Sequence, residues 1–224
     1  MNKRQKKGGM VFMDTLSMIH QNKIVAIARK VAVSDIVDTV RSLFDGGIRC
    51  IEITFDQASR TCMTDTCESI EAVKKAFGDV MCIGAGTVLN VEQVKGAASS
   101  GADFILAPNT DVAVIAEVKR LGLIAVPGAF SPTEIMTAWN AGADIVKIFP
   151  VDALGVSYIK SIRGPISHIP LMAVGGVTVD NIKIFLDNSF CSCGIGSNIV
   201  RNDLIAAGKF NELTELAKTF MQAI

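Results

Sequence analysis

Half of the 224 residues are hydrophobic, enough for one large core, and lysine plus arginine equal aspartate plus glutamate at 22 each. A formal net charge of zero offers no electrostatic handle on nucleic acid or an anionic membrane surface, so neither is an expected partner. No run approaches the roughly 20 uninterrupted apolar residues of a membrane span, and a small-molecule enzyme is the natural expectation.

The chain opens on a basic cluster, MNKRQKKGGM, and Asp14 breaks the short apolar run that follows. This reads as a flexible basic tail over 1–14 rather than a secretion signal, ahead of one domain over 15–224 in a cytoplasmic protein. Residues 15–22 form a candidate leading helix across a barrel floor. Apolar runs at 24–28, 50–54, 81–84, 104–107, 124–126, 145–149, 171–174 and 193–196 then read as strands. Between them, 34–44, 66–77, 91–99, 111–120, 132–140 and 179–186 carry helical periodicity, and 202–224 carries another helical pattern. Ser34, Asp111, Ser131 and Thr178 are the expected N-caps, with Pro132 at a first helical position. Gly46-Gly47-Ile48, Gly101-Ala102-Asp103, Gly122-Leu123 and Gly142-Ala143-Asp144 each supply a left-handed residue that closes a helix before a strand. Eight strands with intervening helices and no break in composition imply an α/β fold, a single-domain TIM (β/α)8 barrel. An open doubly wound sheet is the alternative.

Cysteines at 50, 62, 67, 82, 191 and 193 do not match common zinc spacings, and only His20 and His168 could join them. Reduced thiols are expected, with no metal and no cofactor.

Lys147 stands alone in the apolar run 143–150. An ammonium on a buried strand costs several kcal/mol unless it is paired or loses its proton. A desolvated neutral amine is a nucleophile for a carbonyl carbon; a lysine paired structurally with a carboxylate is the alternative. Period-two alternation directs Lys147 inward with Ile145 and Phe149, and directs Glu52 inward on its own strand. Two inward ionisable groups of opposite type suggest a site, although a lone inward glutamate is often only a structural partner. Gly175-Gly176 and Gly196-Ser197 follow the last two strands, where barrels commonly bind phosphate on backbone N–H groups; tight turns explain either pair taken alone. Arg29 and Thr87 end strands one and three, placed to bind a carboxylate, with a surface ion pair the alternative for Arg29.

Six motifs then appear in order: Gly-Ile-Arg-Cys-Ile-Glu-Ile-Thr-Phe (47–55), Gly-Ala-Gly-Thr-Val-Leu-Asn (84–90), Ala-Pro-Asn (107–109), Val-Pro-Gly-Ala (126–129), Val-Lys-Ile-Phe-Pro (146–150) and Ala-Val-Gly-Gly-Val (173–177). Together they resemble the class I aldolases that cleave 2-keto-3-deoxy-6-phosphogluconate and 4-hydroxy-2-oxoglutarate, over nearly the whole chain. The resemblance implies a metal-independent retro-aldol reaction. Its substrate is a 2-keto-3-deoxy-6-phospho sugar acid, and its products are pyruvate and glyceraldehyde 3-phosphate. Cleavage of 4-hydroxy-2-oxoglutarate to pyruvate and glyoxylate is a second implied activity. Lys147 would form the Schiff base and Glu52 would shuttle protons. Thr87 would hold the carboxylate, Gly175, Gly176, Gly196 and Ser197 the phosphate, and Pro108 and Phe149 would shape the pyruvate pocket. A homotrimer is implied as well.

Three departures bear on the substrate. Asp56 stands where many members carry an arginine that contacts the substrate carboxylate, leaving Arg29 to take over as in galactonate-type members. Val174 replaces a threonine frequent in gluconate-type enzymes, and Ile195 replaces a glycine before Ser197, which is expected to narrow the phosphate pocket. They tilt the expected substrate toward galactonate or a related acid. The rival readings are a phosphate-binding barrel isomerase or epimerase, with Glu52 as base and Lys147 as electrostatic stabiliser, and a non-catalytic barrel that binds a small acid.

Overall fold

The computed structural model describes residues 14–224; the basic segment 1–13, read as a tail, lies outside the described residues. Asp14, counted with that tail, is instead the N-cap of the first helix, its carboxylate accepting from the Ser17 N–H at 3.0 Å. That helix, α1 (Thr15–Asn22), packs the fully buried Ile19 against residues of the barrel interior, and so closes its base as expected. Removing such a side chain from water is worth about 1.5–3 kcal/mol.

Nine parallel strand segments follow: β1 (Ile24–Ala28), β2 (Cys50–Thr54), β3 (Cys82–Gly86), β4 (Phe104–Leu106), β5 (Ile124–Val126), β6 (Gly128–Ala129), β7 (Val146–Ile148), β8 (Leu171–Val174) and β9 (Ser192–Ile195). They hydrogen-bond in the order β5-β4-β3-β2-β1-β9-β8-β7-β6. β5 and β6 are consecutive pieces of one stave, parted by Pro127, which has no N–H for the ladder. The Pro127 carbonyl still accepts from the Lys147 N–H at 2.9 Å, and the Ala125 carbonyl accepts from Asp144 and Ile145. The two ends of the sheet therefore meet. Eight staves close into a barrel, and the open-sheet alternative falls.

Around the barrel lie α2 (Ile36–Asp45), α3 (Cys62–Phe77), α4 (Val91–Ser99), α5 (Val112–Arg120), α6 (Pro132–Asn140), α7 (Gly155–Arg163), α8 (Ile182–Asp187), α9 (Asn202–Ala206) and α10 (Phe210–Gln222). Helix α7 was not among the expected helices; it turns Ile159 and Ile162 into the core. Two N-caps are as expected. Asp111 accepts from Ala113 and Val114, and Ser131 forms a reciprocal capping box with Glu134 behind Pro132. Ser34 and Thr178 are corrections. The N-caps there are Asp35 and Asn181, neither bonding as a cap, and the Thr178 N–H instead donates to Asn181 Oδ1 at 2.7 Å.

The glycine phrases close helices as expected. Gly47, Gly101, Gly122 and Gly142 have φ of 102, 93, 74 and 102°. In each case the following N–H reaches back to a carbonyl in the last helical turn, as from Ile48 to Leu43 and from Ala143 to Ala138. The aspartates of two of these phrases have a role of their own. Asp103 accepts from the Ile83 N–H and from Lys74, and Asp144 accepts from the Ala125 N–H and from Lys119. Each joins the base of one stave to its neighbour and to an outer helix.

Alternation sorts the side chains into two layers. Ala26, Ile51, Ile53, Val146 and Ile148 pack outward against the helices. Val25, Ile27, Cys50, Cys82, Phe104, Leu106, Val126, Ile145, Met172 and Val174 fill the interior. Gly84 makes room there, because a Cβ on it would run into the Phe104 ring. Gly84→Ala is expected to cost about 1–3 kcal/mol through overpacking, read as a lower urea midpoint with an unchanged slope.

Candidate active site

Lys147 lies in the middle of β7, on the inward register, and is 4 % exposed. Glu52 lies in the middle of β2, also inward, and is 1 % exposed. Both are placed by the alternation expected of them. Burial holds the Lys147 amine below its usual range; the Glu52 charge opposes that shift and the Arg29 charge adds to it. Burial likewise raises the Glu52 carboxyl, against the pull of Lys147 and Arg29. The same low-dielectric interior therefore drives both groups toward their neutral forms.

Neither Glu52 oxygen has a hydrogen-bond partner among the described residues. A buried carboxyl left unsatisfied costs roughly 1–3 kcal/mol or more, and such orphans mark places where a ligand group completes the site. Gly86 creates the room, since a Cβ on it would collide with Glu52 Oε1. The Lys147 Nζ sits 4.7 Å from the Phe149 ring centroid, and Phe149 is 37 % exposed, so its ring forms a lip over the amine. Pro108 follows β4 at the same mouth, its carbonyl packed so closely on Gly128 that a Cβ there would collide.

Arg29 continues β1 past Ala28 on the inward register and is exposed at the mouth. Its guanidinium makes no hydrogen bond or ion pair among the described residues, whereas Lys30 Nζ lies 3.9 Å from Asp56 Oδ2. The surface-pair alternative for Arg29 thus falls to its neighbour. Thr87 follows β3 with φ 55°, a left-handed backbone that a β-branched residue takes at a cost of about 1–3 kcal/mol. Its hydroxyl also has no protein partner among the described residues. A cavity of about 270 Å³ opens beside this mouth, outside the barrel wall, between Ala28 and Ile53 on one side and Thr66 and Ser69 on the other. It includes neither Lys147 nor Glu52, which face the interior.

Gly175 and Gly176 follow β8 with φ of 95 and 70°, and a Cβ on Gly176 would collide with Asp152. They are tight-turn glycines. Among the described residues, the N–H groups of Gly175, Gly176 and Ser197 nonetheless find no protein acceptor. Asn198 Nδ2 donates to the Val177 carbonyl at 2.7 Å and ties the loop after β9 to the loop after β8. This clasp was not legible in the sequence, where asparagine after Gly-Ser gave no signal. Around Gly196 a Cβ would meet nothing within 4 Å. One expectation is corrected: Ile195 packs outward with the helix layer, opposite Ala26, and does not narrow the phosphate pocket. Val174 does face the interior, against Gly194. Among the described residues, no three His, Cys, Asp or Glu side chains come together as a metal site.

The interior thus holds a lysine and an unpartnered glutamate below an arc of free donors. The family described as Aldolase: KDPG and KHG aldolase matches residues 16–216. The chain belongs to that family. It is thus an aldolase, a carbon–carbon lyase. It is 33% identical over 204 residues to the 2-dehydro-3-deoxy-phosphogluconate aldolase of Treponema pallidum (strain Nichols), covering 90% of this chain and 93% of that protein. It is also 33% identical over 202 residues to the 2-dehydro-3-deoxy-6-phosphogalactonate aldolase of Escherichia coli (strain K12), covering 90% and 96%. A solved structure described as native KDPGal superposes with a TM-score of 0.80 at 34% identity, covering 89% of this chain and 93% of that one.

Two outcomes follow from the geometry. Only the neutral amine attacks a carbonyl, so a lowered Lys147 pKa shifts its reactivity toward neutral pH. The rate of borohydride-trapped adduct formation with pyruvate should rise with pH and reach half its plateau below 10.5, the ordinary lysine value. Gly196→Ala should unfold within about 0.5 kcal/mol of the parent, while Gly176→Ala should lose stability by more, as urea titrations would show.

Proposed function

We propose that this aldolase cleaves a 2-keto-3-deoxy-6-phospho sugar acid to pyruvate and glyceraldehyde 3-phosphate through a Schiff base on Lys147. The observation that carries the reading is a nearly inaccessible amine, held below its usual pKa, in one interior with an unpartnered Glu52. Lys147 Nζ adds to the C2 carbonyl, and the carbinolamine loses water to give an iminium. Glu52 takes the proton of the C4 hydroxyl. The C3–C4 bond breaks, its electron pair flows into the iminium, and the aldehyde leaves. The resulting enamine is protonated at C3, and water releases pyruvate from Lys147. Glu52 suits both directions of proton transfer because burial brings its carboxyl toward neutral pH.

The free guanidinium of Arg29 and the free Thr87 hydroxyl support a carboxylate subsite on the β1–β3 side of the mouth. The unpaired N–H groups of Gly175, Gly176 and Ser197 support a phosphate subsite on the β8–β9 side, with Gly196 leaving the approach open. Pro108 and Phe149 border the pyruvate half. Val174 in the interior and Asp56 engaged with Lys30 favour the galactonate-type substrate over the gluconate type. 4-Hydroxy-2-oxoglutarate, with a carboxylate in place of the phosphorylated end, is a weaker second substrate. A homotrimer is supported by Leu89, Val112 and Phe130, apolar residues 40%, 54% and 43% exposed, with Leu89 and Phe130 on loops and Val112 at the start of α5, all past the carboxyl ends of neighbouring staves. Six free cysteines accord with a cytoplasmic setting, and no described helix is long and apolar enough to cross a membrane.

Incubation with pyruvate and borohydride should add a permanent mass that maps to Lys147 and is absent from Lys147→Met. A wild-type protein that gains no mass refutes the Schiff base. Glu52→Gln should slow turnover by about 10²–10⁴-fold with pyruvate affinity little changed. Stereoisomeric keto-deoxy sugar acids, with and without phosphate, should rank phosphorylated galactonate first by kcat/KM.

A further inference from the structure

Thr87 is held in its left-handed conformation from both sides. The Gln57 Nε2 donates to the Thr87 carbonyl at 2.7 Å. The Gln57 Oε1 accepts from Gln93 Nε2 at 2.9 Å, and the Gln93 Oε1 accepts from the Leu89 N–H at 2.7 Å. The two backbone ends fix the direction of this chain. Leu89 N–H can only donate and the Thr87 carbonyl can only accept, so each glutamine must present its oxygen to one neighbour and its amide hydrogens to the other. Gln93 is 4 % exposed, and its own N–H is secured by Asn90 Oδ1 at 2.9 Å. The Val88 N–H is tied to the Leu106 carbonyl at 3.1 Å. The turn after β3 is thus clamped at three successive residues. Asp56, adjacent to Gln57, takes no part: its Oδ1 accepts from Ala58 and its Oδ2 faces Lys30.

We infer that Gln57 and Gln93 are positioning residues for the carboxylate of the keto acid, acting through Thr87. Without the relay the turn keeps only the Val88 tie to Leu106, and a β-branched residue at φ 55° is then drawn toward negative φ. With it, the Thr87 hydroxyl is kept free of protein partners and fixed at the mouth. The inference rests on the reading of Thr87 as the carboxylate ligand. It extends that reading to two residues that stand behind Thr87. Gln57 is the informative position because it is exposed and its replacement leaves no cavity. Gln57→Glu keeps the acceptor for Gln93 and loses the donor to Thr87, so it should behave as Gln57→Ala does.

The test measures half-saturation of borohydride trapping at Lys147 with two ketones, pyruvate and hydroxyacetone, which lacks the carboxylate. In Gln57→Ala and Gln57→Glu the pyruvate value should rise about tenfold while that for hydroxyacetone stays at the wild-type level. In turnover, KM should rise with kcat nearly unchanged. Equal losses with both ketones, or none with either, overturn the relay. Thr87→Ala separates the two layers of the argument. If it leaves pyruvate half-saturation unaltered, the carboxylate role of Thr87 fails. If it raises that value while both Gln57 variants match wild type, only the relay fails. Gln93→Glu, which keeps the acceptor for Leu89, should reproduce the pyruvate-specific rise as an independent break in the same chain.

Discussion

An amine and a carboxyl share a hydrocarbon-lined interior that favours the charged form of neither, and the rest of the molecule is arranged around that constraint. Each would be stabilised by a close ion pair, yet the Glu52 oxygens are left without partners. A tight pair would hold Lys147 protonated and inert. Separation within electrostatic range keeps the amine depressed by burial and the carboxyl raised by it. The destabilisation is local and is offset by the large outer layer of apolar side chains between staves and helices.

Glycines and short loops turn this interior into a usable site. Gly84 and Gly86, on the inward register of β3, remove the side chains that would otherwise fill the space of Phe104 and Glu52. The break at Pro127 leaves a carbonyl that still receives Lys147, so the stave bearing the amine stays in register where the ladder is weakest. Around the rim the order β8, β9, β1, β2, β3 brings the free N–H groups of two loops, the free Arg29 guanidinium and the free Thr87 hydroxyl into one arc. Anion donors at both ends of that arc suit a substrate with a phosphate at one end and a carboxylate at the other.

Much of this was readable from the chain. Lys147 and Glu52 were legible because a charge inside an apolar, period-two run has only two directions to point. Gly47, Gly101, Gly122 and Gly142 were legible because helix closure needs a residue free to adopt positive φ. Ile195 was misjudged. Its place in a motif suggested the pocket wall, but strand register turns it toward the helices. The caps at Ser34 and Thr178 also failed, because the turn before α2 bonds the Asp35 N–H to the Ala32 carbonyl and the turn before α8 bonds the Thr178 N–H to the Asn181 side chain. Asp103 and Asp144 gave no sign of their bracing role, because their partners lie 19 to 29 residues away.

The sequence by itself determined the alternation of strand and helix and the inward direction of Lys147 and Glu52. Both follow from periodicity and from the cost of a buried charge, which are local properties; the kind of chemistry came from the ordered motifs that resemble the aldolase family. Closure across Pro127, the empty coordination of Glu52, the clasp by Asn198 and the glutamine chain behind Thr87 were decided only by tertiary structure. Each depends on groups distant in sequence meeting within hydrogen-bond distance, and no local pattern records such a meeting.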